Sequence, residues 1–184
     1  RSIFLTDAGR ETVLTREPGG TPVAEAIREL LLSDRLSDGD PWCEALLFAA
    51  ARAEHVAGVV KPALERGAVV ICDRFVDSSV AYQGVGRGLG EQAVRAANAP
   101  AVAGAQPDLT VVLDIDPVAG LARAVGRNRM EARSVEFHRT VRAAFLGFAA
   151  AAPDRYVVLD AAQPAARVAA AAEAAVMERI AGAT

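Results

Sequence analysis

The chain has 184 residues, 52% of them apolar and 23% charged, with a formal net charge of −3. That length supports one domain with a substantial core, and the balance is ordinary for a globular protein. The net charge and the lack of a basic run argue against a nucleic-acid polymer as partner, and no apolar stretch approaches the ~18 residues of a membrane span.

Taken in chain order, residues 1–8 are expected to be the last turns of a helix closed by Gly9. Thr12-Val13-Leu14 reads as a strand entering a Gly/Pro turn. Pro22 to Leu32 has helical spacing, with Val23, Ala26, Ile27, Leu30 and Leu31 on its apolar face. A polar loop at 33–41 leads into a long helical pattern from Trp42 to about Arg66, which Pro62 kinks or restarts and Gly67 ends. Val69-Val70-Ile71-Cys72 reads as a buried parallel strand, and residues 84–88 as a glycine-rich loop. A helix is expected over 90–103, a buried strand over 109–114 and a helix over 117–125. A basic patch at 126–134, a helix over 135–151, a strand over 156–160 and an alanine-rich helix over 164–181 complete the chain. Helices alternating with buried strands imply an α/β fold, a parallel sheet with helices on both faces. The two cysteines, Cys43 and Cys72, have no metal-ligand spacing, so a reducing cytoplasm is the expected setting.

The densest chemistry lies where the second strand ends. Asp73, Arg74, Ser78, Ser79, Tyr82 and Gln83 offer charges, hydroxyls, a ring and an amide, at the carboxyl end of a strand, where open α/β sheets bind ligands. That set suits a phosphorylated nucleoside; the alternative for Asp73-Arg74 is an internal ion pair capping the strand. Thr15-Arg16-Glu17-Pro18-Gly19-Gly20-Thr21 follows the first strand and is either a ligand loop or simply a tight turn. Phe48 and Arg52 are four residues apart and share a helix face. They could stack and read a flat base, or be a core ring beside a surface charge. Arg127, Arg129 and Arg133 form either a solvated loop or a mobile lid over transferring phosphates. His55 and His138 are expected to be structural or surface residues.

Together these segments resemble bacterial thymidylate kinases, essentially from Gly9 to Gln163. The resemblance rests on Thr15–Thr21, on Phe48 with Arg52, on Asp73-Arg74-Phe75 followed by Ser78-Ser79 and Ala81-Tyr82-Gln83, and on Asp160-Ala161-Ala162-Gln163. It implies a P-loop NTPase-like, three-layer fold of the nucleoside monophosphate kinase type in a single domain, phosphorylating dTMP with ATP and Mg2+ toward dTTP, as a homodimer. It implies that Phe48 stacks on thymine, Arg52 bonds its O4, and Arg74 holds the acceptor phosphate. Asp73 would lie beside the magnesium shell, through water rather than as a direct ligand. Ser78, Ser79 and Gln83 would meet the base and sugar, and Tyr82 would pack under the deoxyribose. Glu17, Pro18 and Arg28 would line the acceptor pocket. Arg127, Arg129 and Glu131 match the lid pattern, with Asn128 where the family has Asp. Ala161, Ala162 and Gln163 would border the adenine.

A P-loop, Gly-x-x-x-x-Gly-Lys-Ser/Thr, does not occur in the 184 residues. The resemblance places it, with a first strand, before Arg1, so the residues as written are expected not to turn over. Two other readings stay open: a kinase for another pyrimidine nucleotide, and a nucleotide-binding relic without catalysis.

Overall fold

The computed structural model describes residues 11–37, 39–123 and 129–182. They form two compact units, the first drawing on residues 11–105 with 129 and 130, the second on residues 106–123 and 131–182. The helix expected over 1–8 lies outside the described residues, as do residues 124–128.

In the first unit β1 (Thr12–Arg16) pairs in parallel with β2 (Val69–Asp73), Leu14 opposite Ile71 and Arg16 opposite Asp73. α1 (Pro22–Leu32) starts where the sequence signals it: the Thr21 hydroxyl accepts from Ala24 N at 3.2 Å and Pro22 takes the first helical position. A 3-10 turn (Asp34–Leu36) interrupts the expected polar loop. α2 (Pro41–His55) is capped by Asp40, whose carboxylate accepts from Trp42 N at 2.8 Å. A π-helical turn (Val56–Val60) then leads into α3 (Lys61–Glu65), so Pro62 sits in the first turn of a restarted helix, where its missing N–H is tolerated. α4 (Val76–Ser79) continues as a π-helical stretch (Val80–Gly86), and α5 (Glu91–Val102) follows. The glycine-rich loop expected over 84–88 is thereby corrected: its first three residues are helical. Gly84 suits a close approach, since a Cβ there would lie 3.3 Å from Glu91 Cα, tighter than ordinary van der Waals contact.

The core of this unit is built from small side chains, among them Ala24, Ala45, Ala49, Ala51, Ala81, Val56, Val80 and Val94. Small residues bring helices close together and leave room for the buried polar groups described below. The expectation of fully buried strands is corrected as well: Leu14 and Ile71, opposite each other on one sheet face, are 52% and 38% exposed. The other face meets the helices. Cys72 lies on that side, and burial, with the negative charges of Glu17 and Asp73, pushes its thiol up to about 12. Cys43 is exposed. Titration with a thiol-specific disulfide reagent at neutral pH is therefore expected to show Cys43 reacting fast and Cys72 at least tenfold slower, because the thiolate is the nucleophile. Equal rates would contradict this placement of Cys72.

In the second unit β3 (Thr110–Asp114) pairs in parallel with β4 (Tyr156–Asp160), flanked by α6 (Pro117–Arg123), α7 (Val135–Ala151) and α8 (Ala165–Gly182). Ser134 caps α7 by accepting from Phe137 N at 3.2 Å. Val112, Val141, Phe148, Ala149 and Tyr156 are buried. Leu113 and Val158 are exposed, so these strands too are half covered rather than fully buried. Arg142 grips Asp114 through two bonds, Nε to Oδ1 at 2.6 Å and Nη2 to Oδ2 at 2.8 Å, which hold the Asp114 carboxyl below its ordinary 3.8. A lowered carboxylate contributes stability that is present above the unfolded value and lost as pH falls through the folded one. Asp114→Asn should therefore lower Tm at neutral pH by a few degrees at most, for a partly exposed pair. The gap should close as pH drops below about 3.8. A gap that persists in acid would assign the effect to something other than the pair's charge.

Candidate active site

The C-terminal ends of β1 and β2 carry the residues that the resemblance assigns to the acceptor side. The chain leaves β1 through a cis Glu17–Pro18 bond, with Glu17 N donating to Asp73 O at 2.9 Å. Arg16 is exposed and paired with Glu25 at 2.8 Å. Arg28 donates from Nη1 to Pro18 O at 2.8 Å, which fixes the turn onto α1.

Arg52 is 2% exposed and is held on three sides. Its Nε donates to Glu17 Oε2 at 2.8 Å, Nη1 and Nη2 to Ser79 Oγ at 3.2 Å each, and Nη1 also to Asn98 Oδ1. Its guanidinium lies 5.5 Å from the centre of the Phe75 ring. Phe48, half-buried, lies one turn earlier on α2. The surface-arginine reading of that pair is thus corrected: Arg52 is interior because a carboxylate and two polar acceptors compensate it. Glu17, expected to line the pocket, has both oxygens engaged, Oε2 by Arg52 and Oε1 by His55 Nδ1 at 3.0 Å. It acts on Arg52 and His55.

Asp73 and Arg74 are both exposed, which removes the internal ion-pair reading. Arg74 adopts φ 67, in the left-handed region that non-glycine residues rarely occupy, and its guanidinium lies 5.3 Å from the centre of the Tyr82 ring. Ser78 is half-buried, and Gln83, 1% exposed, donates from Nε2 to Glu44 Oε1 at 2.8 Å.

Arg129 departs from expectation. The solvated reading is corrected to a buried arginine: Nη1 donates to Glu44 Oε2 at 2.7 Å, and Nε and Nη2 to Leu31 O at 3.2 and 2.9 Å. Leu31 O is one of the carbonyls that the last turn of α1 cannot pair, so the guanidinium closes that helix end while Glu44 balances its charge. Arg127 and Asn128 lie outside the described residues. Glu131 is half-buried in the second unit, where Arg133 lies over the Phe137 ring at 5.6 Å.

Also in the second unit, Ala161, Ala162 and Gln163 form the turn after β4. Asp160 holds it, accepting from Ala162 N at 2.8 Å and from Gln163 Nε2 at 3.1 Å. A cavity of about 410 Å³ opens beside it, bordered by Leu159, Gln163, Arg167 and Val168 among others.

Two contributors, Glu44 and Asn98, have no reading in the sequence, and His55, expected to be structural or surface, is buried within the cluster. Glu44 precedes Phe48 by four residues on the same α2 face, a legible signal for a charge that must be paired inside. Asn98 and His55 gave none beyond being polar in apolar surroundings.

Among the described residues no three His, Cys, Asp or Glu side chains converge to cage a metal, and no helix is long and apolar enough to cross a membrane. The family model described as thymidylate kinase matches residues 4–172. A thymidylate kinase of Pseudomonas fluorescens (strain SBW25) is 53% identical over 167 residues, covering 89% of this chain and 80% of that protein. Those of Pelotomaculum thermopropionicum and Deinococcus radiodurans are 52% and 48% identical, covering 85% and 95% of this chain and 74% and 86% of theirs. With the matched segments carrying the buried Arg52 cluster and the Asp73-Arg74 strand end, the chain belongs to the thymidylate kinase family.

Proposed function

We propose that this protein transfers the γ-phosphoryl group of ATP to dTMP, giving dTDP. The observation that carries the reading is Arg52. It is a buried guanidinium whose Nε, Nη1 and Nη2 all donate to protein acceptors, with one Nη2 hydrogen left over, one helical turn from the half-buried ring of Phe48. A ring that stacks and an arginine that donates to a carbonyl together read thymine at O4. Arg74 and Tyr82, in contact through cation and ring, supply a phosphate holder beside a floor for the deoxyribose. Ser78, Ser79 and Gln83 extend that wall, and Pro18 and Arg28 form the edge above α1.

An acceptor phosphate oxygen attacks the γ-phosphorus, the bond to the β–γ bridging oxygen breaks, and no protein nucleophile is needed. The work of the chain is to position the acceptor and neutralise charge. Mg2+ arrives with nucleotide phosphates and needs only one or two carboxylates. Exposed Asp73 fits that demand, through its water shell; bound there, the ion would neutralise phosphate charge. The turn Ala161-Ala162-Gln163 and its neighbouring cavity suit the adenine of ATP. A second copy of the chain as partner belongs to the same reading, supported by exposed Trp42 and Leu46 four residues apart on α2.

A coupled ADP-release assay tests the proposal, run on these 184 residues and on the chain extended through the codons upstream of Arg1. Turnover with dTMP well above UMP and CMP in the extended chain is the expected result. Preference for UMP or CMP would favour another pyrimidine nucleotide kinase, and dTMP binding without turnover in either form would favour a relic. Turnover by the 184 residues alone would overturn the expectation that they need a P-loop.

A further inference from the structure

His55 is fully buried, yet polar partners engage both ring nitrogens. Nδ1 lies 3.0 Å from Glu17 Oε1, and Nε2 lies 2.7 Å from Thr15 Oγ1. A carboxylate only accepts, so Nδ1 carries the proton, and in the neutral ring Nε2 accepts from the Thr15 hydroxyl. Glu17 then accepts from Arg52 with its other oxygen. A line of hydrogen bonds thus runs from Thr15 on β1 through His55 and Glu17 to the guanidinium of Arg52. The turn backbone backs the ring: a Cβ at Gly20, whose φ is 91, would lie 2.6 Å from His55 Cδ2.

We infer that His55 is a positioning residue that sets the aim of Arg52 through Glu17, and with it the preference for a base presenting a carbonyl at C4. This rests on the reading of Arg52 as the group that meets thymine O4. A guanidinium has donors only. Nε donates to Glu17, Nη1 to Asn98 and Ser79, and Nη2 to Ser79 as well, so the second hydrogen of Nη2 is the donor that remains for a ligand, and its direction follows from how Glu17 is held. A carbonyl satisfies that donor; the C4 amino group of cytosine opposes it. Loosening Glu17 blurs this choice.

The test is calorimetric binding of dTMP and dCMP to the unsubstituted chain and to His55→Leu, His55→Asn and Thr15→Val, with Tm measured for each. His55→Leu should weaken dTMP about tenfold while moving dCMP less than threefold, the scale of one misplaced polar contact. His55→Asn, whose amide can still donate to Glu17, should fall between, and Thr15→Val should shift the ratio the same way by less. These two milder variants carry the test if His55→Leu does not fold. Equal weakening of both nucleotides, tracking Tm, would show a merely structural histidine and overturn the inference, as would an unchanged dTMP to dCMP ratio. If the unsubstituted chain itself does not prefer dTMP, the reading of Arg52 fails, and the inference falls with it.

Discussion

Arg52→Met is expected to destabilise the chain by about 3–5 kcal/mol, the range for breaking a buried ion pair from one side. Glu17, 4% exposed, would lose the donor that balances it, and Ser79 Oγ and Asn98 Oδ1, on residues 2% and 0% exposed, would lose theirs. Methionine fills much of the volume, so lost packing is a minor part of the effect. Urea denaturation measures it. A second substitution separates charge from packing: Arg52→Met with Glu17→Gln removes the stranded carboxylate and should recover a large part of the stability. dTMP binding should stay lost in the double variant, because neither side chain can then donate from that place to a base carbonyl. A loss of under about 1 kcal/mol in the single variant, the ordinary scale of an exposed pair, would mean that Glu17 finds water or another partner. The interior reading of this cluster would then be wrong.

The contrast between what could and could not be read in the sequence follows from the range of each interaction. α1 and α7 begin where expected because their N-caps, Thr21 and Ser134, act within three residues. β4 was legible as an apolar run closed by Asp160. Strand β1 runs on to Arg16, past its apolar run, because Arg16 pairs in register with Asp73, a partner far along the chain. The π-helical stretch Val80–Gly86 reads as loop from its glycines; only packing shows that Gly84 is small because α5 begins against it. The site divides the same way. That Phe48 and Arg52 share a face of α2 is legible from helical spacing, a local rule. The partners that make Arg52 interior lie 35 residues away at Glu17 and 46 at Asn98, and Arg129 reaches Glu44 across 85. Periodicity carries no signal at those separations. An arginine among charged neighbours, as at Arg129, therefore reads as solvated until the fold supplies its carboxylate.

Arg74→Ala should cut kcat/KM for dTMP at least a hundredfold in the extended chain, about 2.7 kcal/mol of lost transition-state stabilisation. The argument begins with the backbone. Arg74 holds φ 67 although it is not glycine, a conformation that costs roughly 1–2 kcal/mol. Its carbonyl accepts from Cys72 Sγ at 3.0 Å, which helps fix that turn. A position serving only the fold would favour glycine there. What the strain secures is a guanidinium exposed at the end of β2, braced over Tyr82, and able to take a phosphate through two parallel bonds. Arg74→Gly is the informative control: it should lose activity as alanine does, while stability holds or rises by about 1 kcal/mol as the strain is relieved. Arg74→Lys keeps a point charge without the fork and should recover only part of the rate. Binding separates the acceptor role from turnover. The unsubstituted 184 residues should prefer dTMP to thymidine, and Arg74→Ala should erase that preference while leaving thymidine affinity unchanged. A fall in kcat/KM of less than tenfold, about 1.4 kcal/mol, or an intact preference for the phosphate, would move the acceptor phosphate away from Arg74 and leave its strained turn without this explanation.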